Sequence, residues 1–219
     1  MMKFLPGDFP LYFVTDHGLN AGRPKLDVIA AALRGGAKLI QYRDKELPDV
    51  GFEAEARSAL DLCRRHGATL IVNDRVGIAQ RIGADGVHLG QEDMDPAEAR
   101  RILGPDAILG LSTHSEEEVL AALDLPLSYI NIGPMFPTNT KEHLHSLGLD
   151  EVLRLSRLAK FPWTTMGGIK RHHFSMLFGS GVKTVSMVTE ISLAEDVERR
   201  TRELLAEISA AQKSAHPSS

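Results

Sequence analysis

The chain has 219 residues, a quarter of them charged, a formal net charge of -4 and one cysteine. Its length suits a single domain, its Lys and Arg are spread rather than gathered in a block, and no apolar run approaches the ~18 residues of a membrane span, so neither nucleic acid nor a membrane is expected as a partner. One cysteine excludes a disulfide framework, and the opening "MMKFLPGDFP" lacks the apolar stretch of a signal peptide, so a cytosolic protein is expected.

Short apolar runs mark strands in chain order: "LYFVTD" (11–16), "KLIQYRDK" (38–45), "TLIVND" (69–74), "GVHLGQ" (86–91), "AILGLSTH" (107–114), "SYINIGPMF" (128–136), "WTTMGGI" (163–169) and "KTVSMVT" (183–189). Between them apolar residues recur at helical spacing, as in Leu26, Ile29, Ala30 and Leu33, or Val119, Ala122 and Leu123. Gly35-Gly36, Gly67, Gly83, Gly104 and Gly181 close these stretches, as glycine does where a helix ends in a left-handed residue. Cys63 falls in phase with Phe52, Ala56, Ala59 and Leu60, which points its thiol at a core and makes it an inert thiol rather than a nucleophile.

Eight strands alternating with helices predict a parallel sheet closed into a compact (β/α)8 TIM barrel. The domain is expected over residues 1–211, with Val197, Leu204, Leu205 and Ile208 marking the last helix and a polar tail over 212–219 that frays. A barrel of this size can also pair with a copy of itself through its outer helices, so a homo-oligomer stays open.

Catalytic groups of this fold gather at the carboxyl ends of the strands, where the loops converge on a pocket. Strand 2 ends there in Gln41, Arg43 and Lys45, which alternation sends to one side as an anion site. Strands 3 and 4 end in Asn73-Asp74 and Gln91-Glu92-Asp93, and two neighbouring carboxylates suit a hard cation, Mg²⁺, that keeps some waters and binds phosphate oxygens. The residues alone leave a second reading open, in which Asp74 and Asp93 cap the helices that follow. Strand 5 ends in Ser112, Thr113 and His114. In the second half, "GPMFPTNTK" (133–141) is too long for a tight turn and ends in Lys141. "MGGIK" (166–170) and Val188-Thr189 occupy the corner after strands 7 and 8, where backbone N–H groups hold a phosphate.

The motifs "QYRDK", "IVNDR", "GADGVHLGQEDM", "GLSTHS", "GPMFPTNTK" and "MGGI", in this order and spacing, resemble the thiamine phosphate synthase (thiamine-phosphate pyrophosphorylase) family. The resemblance implies a transferase that joins a hydroxymethylpyrimidine diphosphate to a hydroxyethylthiazole phosphate and releases pyrophosphate. It assigns Gln41, Arg43, Lys45, Asn73 and Lys141 to the pyrimidine diphosphate, and Asp74 and Asp93 to Mg²⁺. Ser112 goes to the pyrimidine side or the departing pyrophosphate, and Thr138, Thr140, Gly168, Val188 and Thr189 surround the thiazole phosphate. Where the chain has Thr189 the family usually carries serine. The expected chemistry is a dissociative substitution in which Arg43, Lys45, Ser112 and Lys141 act on the leaving group. Two alternatives remain: a thiazole tautomerase, whose related barrel uses a histidine in the region of His114, and an idle barrel that senses a thiamine precursor. His114 itself reads as a structural group, and His143, His145, His172 and His173 as solvated side chains rather than metal ligands.

Overall fold

The computed structural model describes residues 8–138 and 145–215. Eight strands form a closed, wholly parallel barrel in chain order, with β1 (Leu11–Val14) pairing both β2 (Leu39–Tyr42) and β8 (Val185–Met187). Between them stand β3 (Thr69–Asn73), β4 (Gly86–Leu89), β5 (Ile108–Thr113), β6 (Tyr129–Ile132) and β7 (Trp163–Thr165). Each strand is shorter than its apolar run.

The helices are α1 (Lys25–Arg34), α2 (Asp49–Arg65), α3 (Val76–Ile82), α4 (Pro96–Leu103), α5 (Glu116–Ala122), α6 (Gly148–Leu158), α7 (Phe174–Gly179), α8 (Thr189–Ser192) and α9 (Val197–Ala215). The short α8 departs from the expected run of strand 8, since Thr189 opens a helix rather than ending a strand. α9 continues to Ala215, past the expected boundary at 211, as alanine, glutamine and lysine are all good helix formers. Among the described residues no helix is long and apolar enough to cross a membrane.

Strand parity divides the core into two layers. Leu11, Phe13, Ile40, Tyr42, Leu70, Val72, Val87 and Leu89 face outward against the helices, where α2 contributes Phe52, Ala56, Leu60 and Cys63. Burying each such large side chain contributes about 1.5–3 kcal/mol. Burial pushes the Cys63 thiol up to about 12, with the Asp85 carboxylate adding to the effect, so it packs as an apolar group. Tyr12, Val14, Leu39, Ile71, Ile108 and Tyr129 face the barrel interior. Gly110 makes this layer possible, since a Cβ there would stand 2.2 Å from the Tyr129 ring.

Candidate functional site

The same inward parity that buries Tyr12 and Ile71 carries Gln41, Asn73, His88 and Ser112 to the carboxyl end of the barrel, where the apolar filling stops. They line a cavity of about 520 Å³ together with Arg43, His114, Thr138, Gly168, Val188 and Thr189. Eight of the residues expected to bind the substrates therefore meet in one cavity: Gln41, Arg43, Asn73, Ser112, Thr138, Gly168, Val188 and Thr189. Thr140, Lys141 and His143 lie outside the described residues.

β2 ends at Tyr42, so Arg43 and Lys45 are carried by the loop and not by strand alternation. Arg43 forms an ion pair with Asp16 at the end of β1, and both line the cavity. Lys45 instead turns to Asp74, leaving its side chain half exposed at the edge of the site. Asn73 joins the two regions, donating from Nδ2 to Asp74 Oδ1 at 2.8 Å while lining the cavity.

Asp74 and Asp93 face each other across the ends of β3 and β4. Burial and the hydrogen-bonded Asp93 carboxylate push the Asp74 carboxyl up to about 6, although Lys45 opposes this. Burial acts on Asp93 too, but the hydrogen bond with Asp74, the Gly90 N–H and the Lys45 charge hold it below the usual carboxylate range. Two carboxylates so close bind one proton between them unless a cation replaces it.

Neither acid caps a helix. The residue before α3 is Arg75, which makes no side-chain cap, and α4 is capped by Asp95, whose Oδ1 accepts from the Ala97 and Glu98 N–H groups. Asp93 Oδ2 accepts from the Gly90 N–H at 2.7 Å, inside its own loop. Asp74 has φ +58°, a left-handed conformation that costs a non-glycine residue about 1 kcal/mol and turns its carboxylate toward Asp93.

Opposite this acidic pair, the loop after β6 is laced to the loop after β7. The Met135 N–H donates to the Met166 carbonyl at 2.7 Å, and the Phe136 N–H to the Gly167 carbonyl at 3.0 Å. Gly168 has φ +60°, and a Cβ there would stand 2.4 Å from the Pro137 carbonyl oxygen, so only glycine fits. His114 Nδ1 donates to the Gly133 carbonyl at 2.6 Å, which ties β5 to this loop.

Among the lining residues that the sequence reading gave no role are Lys170, Ser186 and His88. Lys170, just after "MGGI", reaches Thr189 Oγ1 at 3.4 Å and pairs with Glu190 at 3.0 Å, placing a cation beside Gly168. Ser186 is buried on β8 with a hydroxyl that has no hydrogen-bond partner among the described residues. His88 bonds Ser112 Oγ from Nε2 at 2.9 Å. Parity along β4 and β8 would have found His88 and Ser186, because each alternates with apolar residues of the outer layer.

The profile of the family described as thiamine monophosphate synthase matches residues 11–191. Thiamine-phosphate synthase of Caldicellulosiruptor saccharolyticus is 39% identical over 197 residues, covering 90% of this chain and 89% of its own. That of Azorhizobium caulinodans is 40% identical over 200 residues, covering 91% and 94%. Among solved structures, thiamine phosphate pyrophosphorylase from Pyrococcus furiosus superposes with a TM-score of 0.86 at 32% identity, covering 95% of this chain and 99% of that one. A match spanning every strand of the barrel, with relatives this similar along nearly their whole length, means that the chain belongs to the thiamine monophosphate synthase family.

Proposed function

We propose that this enzyme forms thiamine phosphate in the cavity at the carboxyl end of the barrel, from a hydroxymethylpyrimidine diphosphate and a hydroxyethylthiazole phosphate, with release of pyrophosphate. The observation that carries the reading is the convergence of an amide, a guanidinium, a hydroxyl and a glycine-lined corner on one cavity of about 520 Å³. Two anionic substrates require two separate anion sites, and the cavity offers basic groups on both sides: Arg43 near β1 and β2, and Lys170 near β7 and β8.

On the pyrimidine side, Gln41 and Asn73 present amide groups to a heteroaromatic ring, and Arg43 and Lys45 present positive charge to a diphosphate. Lys141 is assigned to the same group by the family resemblance. Asp74 and Asp93 fit Mg²⁺ as a pair of hard oxygen donors short of one compensating charge. When bound there, Mg²⁺ supplies positive charge to the oxygens of the leaving diphosphate.

On the thiazole side, Gly168, Val188 and Thr189 offer backbone and hydroxyl groups to a monophosphate, with Thr138 above them and Lys170 as a further cation. Thr140 belongs to this group by the family resemblance.

The bond from the pyrimidine methylene to the diphosphate oxygen breaks first, as the electron-rich aminopyrimidine stabilises a cation on the methylene. The neutral thiazole nitrogen then attacks with its own lone pair, so no general base is needed. Arg43, Lys45, Ser112 and Lys141 stabilise the growing negative charge, and preorganised donors of this kind typically contribute about 3 kcal/mol each.

Pyrophosphate release from purified protein given both precursors, with Mg²⁺ and then with excess chelator, tests the reading. Metal-dependent release with matching thiamine phosphate is expected. Binding of both precursors without turnover would instead favour a sensing barrel, and conversion of the thiazole alone a tautomerase.

A further inference from the structure

A run of polar side chains crosses the floor of the cavity. Gln41 Nε2 donates to Tyr12 Oη at 2.8 Å, and the Tyr12 and Tyr129 hydroxyls lie 3.0 Å apart. Tyr129 Oη is 2.8 Å from His88 Nδ1, and His88 Nε2 is 2.9 Å from Ser112 Oγ. Gln41 on β2 and Ser112 on β5 therefore communicate through three intervening residues, all of them buried.

Donor and acceptor capacity fixes the first bond of this chain and suits one direction along the rest. An amide nitrogen only donates, so Tyr12 accepts from Gln41, which leaves the Tyr12 O–H free to donate to Tyr129. In that direction Tyr129 accepts from Tyr12 and donates to His88 Nδ1. Burial raises both phenols well above their ordinary range, so each remains a neutral O–H. With Nδ1 used as an acceptor, the imidazole carries its proton on Nε2 and donates to Ser112 Oγ. Ser112, having accepted one hydrogen bond, turns its own proton to the cavity that it lines.

We propose that Gln41, Tyr12, Tyr129 and His88 form a one-way hydrogen-bond relay that holds the Ser112 hydroxyl as a donor aimed into the cavity. Tyr12, Tyr129 and His88 are then positioning residues for Ser112. No proton changes hands along the relay, which sets orientation only. Its catalytic value rests on the reading of Ser112 as a contact to the departing pyrophosphate, since a fixed donor stabilises growing negative charge whereas the reversed chain would present a lone pair to it.

The ring nitrogens of His88 report the direction. In ¹⁵N-histidine-labelled protein, assigned against His88→Gln, His88 is expected as the neutral Nε2–H tautomer. Gln41→Glu, whose carboxylate accepts and cannot donate, should reverse the chain and move the proton to Nδ1. Tyr129→Phe should lower kcat about tenfold with both KM values changed by less than about twofold, and in a Ser112→Ala background it should change nothing further. An Nδ1–H tautomer in the unaltered protein overturns the relay whatever the variants do. A Tyr129→Phe loss of equal size with and without Ser112 overturns the coupling. Full activity of Ser112→Ala, with the tautomer as expected, overturns the reading of Ser112 and the catalytic role of the relay together.

Discussion

Lys45 rests its ammonium against the carboxylate of Asp74, which is itself hydrogen-bonded to Asp93. One half-exposed lysine offsets one of two carboxylates and leaves the pair one compensating charge short.

On the proposed reading, Asp93→Asn removes one of the two carboxylates that would hold Mg²⁺. We expect kcat to fall about 100-fold or more. Mg²⁺ with pyrophosphate should raise the Tm of the unaltered protein by about 5 °C, a shift that saturating ligand readily provides, and leave Asp93→Asn where it was. Equal shifts in the two proteins would exclude the acidic pair as the metal site.

Lys170 stands at the glycine corner with Thr189 and Glu190. Lys170→Met should raise KM for the thiazole phosphate about tenfold while that for the pyrimidine diphosphate moves by less than about twofold. Glu190→Gln should act in the opposite direction, since it removes a carboxylate that competes with the phosphate for the same ammonium. Parallel changes in both KM values would place Lys170 outside the thiazole side.

Asp44 is buried behind the site. Burial works against its charge, yet the Lys25 ammonium, the Leu47 and Glu46 N–H groups and His17 hold its carboxyl at about 2. A folded value below the unfolded one stabilises the protein above about pH 4, and this contribution is lost as pH falls toward 2. Asp44→Asn should cost about 2–4 kcal/mol at pH 7, including the penalty of leaving Lys25 unpaired, and less near pH 3. Urea unfolding at the two pH values measures this, and a pH-independent difference would contradict it.

Gly86 brings β4 against β5 so closely that a Cβ would lie 2.0 Å from the Ile108 carbonyl oxygen. Gly86 and Ile108 are partners in the β4–β5 ladder, so Gly86→Ala should destabilise the fold by about 3 kcal/mol or more. A loss below about 1 kcal/mol in urea unfolding would mean that the ladder can shift to admit a methyl group.

Periodicity and punctuation alone determined the barrel, because an apolar strand followed by an amphipathic helix has few ways to bury both faces. They also marked strand ends that meet at one cavity, since Gln41, Asn73 and Ser112 interrupt runs that are otherwise apolar. Only the tertiary structure removed the helix-capping reading of Asp74 and Asp93. Asp95 takes the cap of α4, and a positive φ at Asp74 turns its carboxylate across to the neighbouring strand end. It also decided that Lys45 belongs with Asp74, that Lys170 joins the glycine corner, and that Tyr12, Tyr129 and His88 meet between Gln41 and Ser112. These are contacts among residues up to 117 positions apart. Closure of the barrel makes them, and no local pattern in the chain specifies distances across it.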